Sequence, residues 1–517
     1  MRINKLTITD FKNLQNFSID FDEKSFTSVI VGQNGAGKSN ILEALIIIFR
    51  DLDLGNPPSF KYRIEYTCRG YKIRVDADPN RRGYFNITVD GNKIPFKRFL
   101  ECGREYYLPN YVFGYYSGPS NRMEMHFEKH QERFYQDLIN GVEKPLRPLL
   151  YARHVHSQFA LLSFFYEKDK KILDFLKEHL RIEEFDSVLF VMREPPWKSK
   201  TGDSRFWNSR GAVQEFLGKL YELSLSPLRI KLDVNIEFRK RSNLEHLYLY
   251  LKDIGALRKL AGNYRSPQEF FKALESTYIS KLISEVRIRV KVKNTNGSLT
   301  FVELSEGEQQ LLMVLGLLRF TKEDESLFLL DEPDTHLNPA WSIRYIEFLR
   351  EIVGDQKTSH IIMTTHDPLV IAALERSQVR ILRFNEKIGQ FFSECPENDP
   401  IKMGYPEILT SDLFGLRSII SPLILERLDE KRRLAIKEDL TNEEKERLRE
   451  LNLELEDFDF TNVVRDPSYE PFVRALTEME NKEGLQTPVL TKEQKEKRKE
   501  LAFEILSRLK NKKDLPP

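Results

Sequence analysis

Residues 32–39 read Gly32-Gln33-Asn34-Gly35-Ala36-Gly37-Lys38-Ser39. This glycine-rich stretch follows an apolar run over residues 26–31 and precedes an apolar-periodic run over residues 41–49, which predicts a strand, a tight loop and a helix. In such a loop, backbone N–H groups surround phosphate oxygens, the lysine reaches the outer phosphates and the serine hydroxyl binds Mg²⁺. The stretch, called the phosphate loop below, therefore predicts a nucleotide site at a helix N-terminus. A strand-to-helix turn without a ligand is the alternative.

Three further segments fit the same chemistry. Residues 327–333 read Leu-Phe-Leu-Leu-Asp-Glu-Pro and predict a buried strand that ends in two carboxylates. Asp331 would hold Mg²⁺, and Glu332 would orient the attacking water. Residues 304–310 (Leu-Ser-Glu-Gly-Glu-Gln-Gln) precede a predicted helix, and His366 follows a predicted strand. A strand-capping turn, a helix N-cap and a core histidine are the ordinary alternatives, but their joint occurrence in this order favours nucleotide binding.

Composition limits the class of protein. The chain has 517 residues, which predicts two or three domains, and its 40% hydrophobic and 31% charged residues are typical of a water-soluble protein. The formal net charge is +1, so any nucleic-acid surface must be a local patch. Cys68, Cys102 and Cys395 form no C-x-x-C pair, which argues against a zinc site and a disulfide framework and predicts a cytoplasmic location. Neither a signal peptide nor a membrane span is predicted.

The segment Leu-Ser-Glu-Gly-Glu at residues 304–308 resembles the signature of ABC-type ATPases, and His366 matches their switch histidine. Residues 6–14, Leu-Thr-Ile-Thr-Asp-Phe-Lys-Asn-Leu, resemble the N-terminus of SMC, RecF and Rad50-type ATPase heads. In those families the basic residue after the phenylalanine lies near the nucleotide. The predicted fold class is therefore α/β, with an ABC/SMC-type P-loop ATPase head, a mixed α+β insertion and a helical C-terminal extension.

The same resemblance implies ATP and Mg²⁺ as cofactors and assigns the site residues. Nucleotide-binding roles fall on Lys12, Gly32, Gln33, Asn34, Gly35, Ala36, Gly37, Lys38, Ser39, Asn40, Ser305, Gly307 and Glu308, metal-binding roles on Ser39 and Asp331, and catalytic roles on Glu332 and His366. A solvated surface lysine is the alternative at Lys12.

The chain is predicted to fall into four segments. Residues 1–121 and 283–400 would form the two lobes of the ATPase head, residues 122–282 an insertion of helices and strands, and residues 401–517 a helical extension suited to partner docking. No heptad is sustained in the insertion, which separates this chain from SMC and Rad50 proteins, whose coiled-coil arms occupy the same place.

Smaller patterns add local expectations. Asp90-Gly91 predicts a hairpin turn, and residues 379–384 are expected to be the last strand. Residues 118–122 lie where the family has its Q-loop, but no glutamine is in register. The final helix places an apolar stripe on one face, either to dock a partner or to pack on its own domain. The stripe consists of Leu501, Ile505, Leu506 and Leu509.

Three segments resemble a narrower family. They are residues 113–124 (Phe-Gly-Tyr-Tyr-Ser-Gly-Pro-Ser-Asn-Arg-Met-Glu), 202–208 (Gly-Asp-Ser-Arg-Phe-Trp-Asn) and 408–416 (Ile-Leu-Thr-Ser-Asp-Leu-Phe-Gly-Leu). They are similar to the PtuA family, the ATPase subunits of bacterial anti-phage Septu and retron-associated systems. In that family the ATPase works with a separate HNH-type nuclease, PtuB. The resemblance implies a regulatory subunit that dimerises head to head around ATP, or forms a higher oligomer, and controls such a nuclease. A retron reverse transcriptase, its msDNA or another nucleic acid would be a further partner.

The sequence itself carries no nuclease motif. An HNH centre needs a His-Asn-His arrangement, usually braced by cysteine pairs, and OLD-type proteins carry carboxylate-rich strands after the ATPase. Neither pattern is found, so nuclease activity is assigned to a partner. A RecF/SMC-like DNA-repair ATPase that clamps DNA directly is the alternative function. A transporter ATP-binding subunit is disfavoured by the SMC-type N-terminus and the insertion.

Overall fold

The structure is a computed structural model that describes residues 1–142, 146–166, 169–237, 240–293, 297–320, 325–353, 358–437, 439–456, 475–476, 479–480, 482–483, 485 and 491–513. The chain divides into two compact units, Met1–Cys395 and Pro396–Pro517. Among the helices so described, none combines the length and hydropathy that a bilayer span requires.

The secondary structure alternates strands and helices through the first unit and is helical in the second. The strands are β1 (Arg2–Phe11), β2 (Leu14–Asp20), β3 (Thr27–Gly32), β4 (Tyr62–Cys68), β5 (Tyr71–Ala77), β6 (Phe85–Val89), β7 (Asn92–Ile94), β8 (Val112–Tyr116), β9 (Leu149–Tyr151), β10 (Ile182–Arg193), β11 (Leu228–Glu237), β12 (Lys240–Leu251), β13 (Ile283–Val292), β14 (Ser298–Thr300), β15 (Leu327–Asp331), β16 (His360–Thr364), β17 (Val379–Asn385) and β18 (Gln390–Glu394). The helices are α1 (Lys38–Leu54), α2 (Phe96–Cys102), α3 (Glu128–Ile139), α4 (Val155–Tyr166), α5 (Lys170–Glu178), α6 (Gly211–Leu223), α7 (Ile254–Ala261), α8 (Pro267–Ile279), α9 (Glu306–Phe320), α10 (Pro339–Phe348), α11 (Pro368–Ile371), α12 (Tyr405–Thr410), α13 (Pro422–Ile436), α14 (Asn442–Glu456) and α15 (Lys492–Lys513).

A seven-stranded sheet carries the segments singled out in the sequence. Its order is β18-β17-β3-β16-β15-β8-β9, and all neighbours are parallel except β17 and β18. Every residue of β15 and of β16 is buried, which explains their uninterrupted apolar runs. The register places Asp331 opposite both Thr364 and Tyr116, so the carboxyl ends of three strands meet at one edge.

Helix α1 lies between this sheet and a second, antiparallel sheet of order β2-β1-β4-β5-β6-β7. Its apolar residues share one core with strands of both sheets, including Ile64 on β4 and Leu329 on β15. A helix that is apolar on all sides can be stable only when it is covered on all sides. Gly55, at φ 71°, ends the helix in the left-handed conformation that a glycine adopts without strain.

A third sheet and a group of helices follow in the middle of the chain. The sheet has the order β11-β12-β10-β13-β14 and is antiparallel throughout. Helix α4 is buried over most of its length and packs against α8 and α9. The contact with α9 is so close that a Cβ added to Gly316 would lie 2.1 Å from Ala160 Cβ. The middle of the chain is therefore attached directly to the helix that follows the signature segment.

Two strand expectations can be compared with the structure. The hairpin turn is confirmed, because Asp90 and Gly91 both have positive φ, 48° and 81°, between the paired strands β6 and β7. The expectation that residues 379–384 are the last strand is wrong, because β17 pairs with β18. All five residues of β18 are half-buried, so its sequence carries no alternation that would mark a strand.

The α/β fold class is confirmed by the mainly parallel sheet and the helices that cover it. The boundaries of the four predicted segments stay a prediction. Strand β9 pairs with β8 although it falls in the predicted insertion, and β13 and β14 continue the third sheet although they follow residue 282.

The C-terminal unit contains helices α12 to α15 in its described part. Helix α15 is tied to the end of α12, because Lys495 Nζ donates to Thr410 O at 3.0 Å. Within the predicted apolar stripe Ile505 is 3% exposed, whereas Leu506 is 43% exposed. The side chain of Leu509 lies outside the described residues. One member of the stripe is therefore buried and another is open to solvent.

Candidate nucleotide site

The phosphate loop joins β3 to α1 and depends on two glycines. Gly35 and Gly37 have φ of 82° and 95°, which residues with a Cβ rarely adopt. A Cβ at Gly37 would also lie 2.7 Å from Asn13 Oδ1. Asn13 Nδ2 donates to Gly35 O at 2.9 Å, and Asn40 Nδ2 donates to Asn13 Oδ1 at 2.6 Å. The loop is therefore braced by Asn13, whose role the sequence motif does not indicate.

Lys38 lies inside the loop. Its ammonium group donates to Gly32 O at 2.8 Å, and the residue is 6% exposed. Burial lowers the pKa of Lys38, while the carboxylates of Glu332 and Asp331 act in the opposite direction. A buried ammonium that bonds to neutral carbonyl oxygens gains from a phosphate, because anionic oxygens make stronger hydrogen bonds. At the tip of the loop Gln33 and Asn34 are exposed.

Asp331 ends β15 and is 1% exposed. The hydroxyl groups of Thr364 and Ser39 hydrogen-bond to its carboxylate. Burial raises the pKa of Asp331 against these hydrogen bonds, which lower it. Its Oδ2 atom is buried and has no hydrogen-bond partner among the described residues. An unmet carboxylate oxygen beside a serine hydroxyl fits Mg²⁺, which prefers oxygen ligands, so the residues predicted to bind the metal fit that ion.

Glu332 occupies a strained position one residue later. Its φ is 50°, in the left-handed region that non-glycine residues enter at a cost of about 1–3 kcal/mol. The strain is held by two hydrogen bonds from its N–H to Thr364, at 3.1 Å to Oγ1 and 3.2 Å to the carbonyl oxygen. The turn brings Glu332 Oε1 within 3.4 Å of His366 Nδ1. The two predicted catalytic residues are therefore adjacent.

A second buried pair lies behind this turn. The Thr365 hydroxyl donates to the carboxylate of Asp334, and the two residues are 0% and 6% exposed. Burial raises the pKa of Asp334 to about 6, against the hydrogen bond from Thr365, which lowers it. The sequence motifs assigned no role to Asp334, Thr364 or Thr365, although the two threonines directly precede His366.

The signature segment caps helix α9. Ser305 N donates to Glu308 Oε2 at 2.7 Å, and Glu308 N donates back to Ser305 Oγ at 3.3 Å, which is a capping box. A Cβ at Gly307 would lie 2.5 Å from a backbone carbonyl oxygen, that of His336. Within the described ranges, no hydrogen bond of Ser305 or Glu308 reaches the phosphate loop. The hydrogen bonds of these two signature residues thus stay within their own segment.

The turn that carries Glu332 is tied to the signature helix. Gln310 Nε2, one turn into α9, donates to Pro333 O at 2.7 Å. The amide is 4% exposed, so this bond is shielded from water and strengthened by the low dielectric of its surroundings.

Lys12 lies beside α1, where its ammonium group bonds to both carboxylate oxygens of Glu43 at 2.6 Å. Its φ of 55° turns the chain between β1 and β2. The nucleotide-binding role of Lys12 stays a prediction. The sequence motifs did not indicate a role for Glu43. The signal that could have done so is its position as a lone carboxylate in the apolar run of residues 41–49.

Residues 28–372 match the family described as "AAA domain, putative AbiEii toxin, Type IV TA system". The match covers more than half of the 517 residues, and the chain belongs to this family.

Relatives of the chain include two Septu PtuA proteins and a probable retron ATPase. It is 24% identical over 182 residues to the Septu protein PtuA of Bacillus thuringiensis, covering 32% of this chain and 45% of that protein. It is 26% identical over 421 residues to PtuA of Bacillus mycoides (strain KBAB4), covering 80% and 45%. It is 23% identical over 434 residues to the "Retron Vc95 probable ATPase" of Vibrio cholerae serotype O1 biovar El Tor, covering 77% and 76%. The chain thus spans 45% of the length of each Septu relative.

Solved structures similar to the chain include SMC heads. The SMC head domain from Thermotoga maritima matches at 15% identity with a TM-score of 0.33, covering 77% of this chain and 100% of that chain. An Smc head domain derived from Pyrococcus furiosus, bound to the C-terminal domain of ScpA, matches at 14% identity with a TM-score of 0.32, covering 76% and 96%.

Lys38→Ala should weaken ATP binding at least tenfold, because it removes the buried ammonium that would meet the outer phosphates. Isothermal titration with ATP measures the change. Lys97→Ala, a matched control on α2 whose side chain is 89% exposed, should bind as the unaltered chain does. Equal affinity in the two variants would contradict the phosphate-loop assignment.

Proposed function

We propose that this AAA-domain chain binds and hydrolyses ATP as the regulatory subunit of a cytoplasmic anti-phage defence complex. The observation that carries the ATPase assignment is the meeting of Lys38, Asp331, Glu332 and His366 at the carboxyl edge of one parallel sheet. Ligands of open α/β sheets bind at that edge. The defence context is supported by the names of relatives, two Septu PtuA proteins and a retron ATPase.

Each side chain then has a role in phosphoryl transfer. The backbone N–H groups of the phosphate loop and Lys38 hold the phosphates, and Ser39 and Asp331 hold Mg²⁺. The metal ion, when bound, neutralises charge on the phosphate oxygens. Glu332 accepts a hydrogen bond from the attacking water and fixes its direction. His366, beside Glu332, lies where it can donate to the phosphate that leaves.

Glu332→Gln should retain ATP binding and lower the turnover rate on the order of 100-fold or more, because the amide cannot accept a proton from the attacking water. Phosphate release measures turnover, and titration measures binding. Glu101→Gln, whose side chain is 62% exposed on α2, controls for loss of one carboxylate and should hydrolyse ATP at the normal rate. Normal hydrolysis by the Glu332 variant would move the catalytic role to another residue.

Head-to-head dimerisation is the second part of the proposal. Ser305 is exposed at the start of α9, Gly307 is buried behind it, and the hydrogen bonds of Ser305 in the described ranges do not reach the phosphate loop of its own chain. A second chain facing the first would bring this helix N-terminus to the γ-phosphate, where backbone N–H groups favour an anion. Two ATP molecules would then be enclosed between two chains.

Ser305→Arg should abolish hydrolysis and leave ATP binding by each chain intact, because the bulky cation blocks only the facing surface. Mixing this variant with Lys38→Ala chains tests the geometry directly. One site of the mixed dimer combines an intact loop with an intact signature, so hydrolysis should return to at most half of the normal rate. A fully active Ser305→Arg dimer, or no recovery on mixing, would rule out the enclosed arrangement.

A separate HNH-type nuclease is the proposed partner, and a retron reverse transcriptase, its msDNA or another nucleic acid is a further one. The C-terminal unit is the proposed docking element. Two apolar side chains of α15, Phe503 and Leu506, are 71% and 43% exposed. Helices with such a face commonly lie in the groove of a partner.

Phe503→Glu should release the nuclease in a pull-down from the native operon and leave ATP hydrolysis unchanged, because it places a charge in the docking face. Ile388→Glu, at a position 62% exposed between β17 and β18, is the matched control and should retain the nuclease. Deleting residues 490–517 is a coarser test, since Ile505 is buried and its loss perturbs the unit itself. Retention of the nuclease by Phe503→Glu would place the docking site elsewhere.

A further inference from the structure

Several cationic or basic side chains surround one buried carboxylate beside the phosphate loop. Glu43 is 4% exposed and accepts hydrogen bonds from Lys12 Nζ at 2.6 Å, Arg122 Nη2 at 2.7 Å and His126 Nε2 at 3.1 Å. Burial alone would raise the pKa of Glu43, but these hydrogen bonds outweigh it and hold the pKa at about 2. The carboxylate is therefore charged at neutral pH. These four residues are called the Glu43 cluster.

The Glu43 cluster carries an excess of positive charge. Arg50 Nη1 donates to His126 Nδ1 at 3.0 Å, which leaves the imidazole proton on Nε2 and the ring neutral. Arg50 is itself paired with Asp51 at 2.8 Å. Two cations, Lys12 and Arg122, therefore share a single anion. Within the Glu43 cluster the cations therefore outnumber the anions by one, at the first turns of the helix that the phosphate loop opens.

Arg122 is one of two cations in the Glu43 cluster that reach solvent. Its side chain is 32% exposed and that of Lys12 is 43% exposed, against 5% for Glu43. Arg122 differs from Lys12 in that it follows β8, whose last residue pairs with Asp331. If Arg122 departs, Glu43 keeps hydrogen bonds from Lys12 and His126, so no bare carboxylate is left buried. The exchange is therefore compatible with an intact core.

The position of Arg122 points its charge toward the phosphate site. Its Nη2 atom also donates to Asn40 Oδ1 at 2.5 Å. Asn40 directly follows Ser39, the serine predicted to bind Mg²⁺. Strand β8 pairs with β15 up to Asp331 itself, so the segment that leads to Arg122 starts at the catalytic edge of the sheet.

We propose that Arg122 distinguishes ATP from ADP, its guanidinium exchanging Glu43 for the γ-phosphate when ATP is bound. The inference rests on the proposed ATPase function and adds to it a specificity-determining residue. A planar guanidinium can donate two parallel hydrogen bonds to a phosphate, as it does to a carboxylate. ADP lacks the γ-phosphate, and with ADP bound Arg122 stays on Glu43.

The test compares the dissociation constants of ATP and ADP by isothermal titration. Arg122→Gln should lower the ratio Kd(ADP)/Kd(ATP) at least tenfold, mainly by weakening ATP. Arg122→Lys keeps the positive charge but lacks the planar guanidinium. Its ratio Kd(ADP)/Kd(ATP) should lie between those of the unaltered chain and Arg122→Gln. His126→Gln, the matched control, alters a different donor to Glu43 and should leave the ratio unchanged. Glu43→Gln removes the competing carboxylate and should raise the ratio, and the double variant should behave as Arg122→Gln does.

The outcomes separate the inference from the function on which it rests. If the unaltered chain binds neither nucleotide, both the proposed ATPase function and the inference about Arg122 are overturned. If the chain prefers ATP but Arg122→Gln keeps the same ratio, Arg122 does not contact the γ-phosphate. If His126→Gln lowers the ratio as much as Arg122→Gln, the Glu43 cluster acts only as structural support, and the inference is again overturned.

Discussion

The burial of α1 on both of its faces is the constraint on which the site depends. The helix shares a core with two sheets, so rotating or sliding it would expose apolar side chains to water. Its start is fixed by Gly37 and its end by Gly55, both in the left-handed conformation. Lys38 and Glu43 are residues of this helix, so its packing sets their positions relative to the sheet edge. The chemistry of the loop is held in place by a hydrophobic core rather than by the loop itself.

Around that fixed helix the chain collects groups that are unfavourable on their own. Asp331 is a buried carboxylate with one unmet oxygen, Lys38 is a buried ammonium, and Glu332 has a strained backbone. Each would be avoided in a protein selected only for stability. A bound phosphate would give Lys38 an anionic partner in place of neutral carbonyl oxygens, and a metal ion would bind Asp331 Oδ2, so a ligand that fits should stabilise the folded chain by mass action.

Much of the fold and of the site could be predicted because the relevant signals are local. The phosphate loop, the carboxylates of β15 and the histidine after β16 each lie within a few residues of a strand end, where spacing alone fixes their direction. The roles of Asn13, Arg122 and Glu43 could not be predicted, because their contacts join segments that are distant in the chain. The strained backbone of Glu332 also has no signal in the sequence, since it arises from hydrogen bonds to a neighbouring strand. Strand β18 was missed because its half-buried residues give no alternation.

Gln310 joins a rigid helix to the turn that carries Glu332, through one shielded hydrogen bond to Pro333 O. Helix α9 packs along α4 so closely that Gly316 has no room for a side chain, and this contact holds the two helices together. A helix that is hydrogen-bonded to a strained turn can transmit a displacement to that turn. A displacement of the signature end of α9 would therefore reach the turn of Glu332 through this hydrogen bond. In the proposed dimer, contact made by one chain with this helix end would be transmitted to the Glu332 turn of the other.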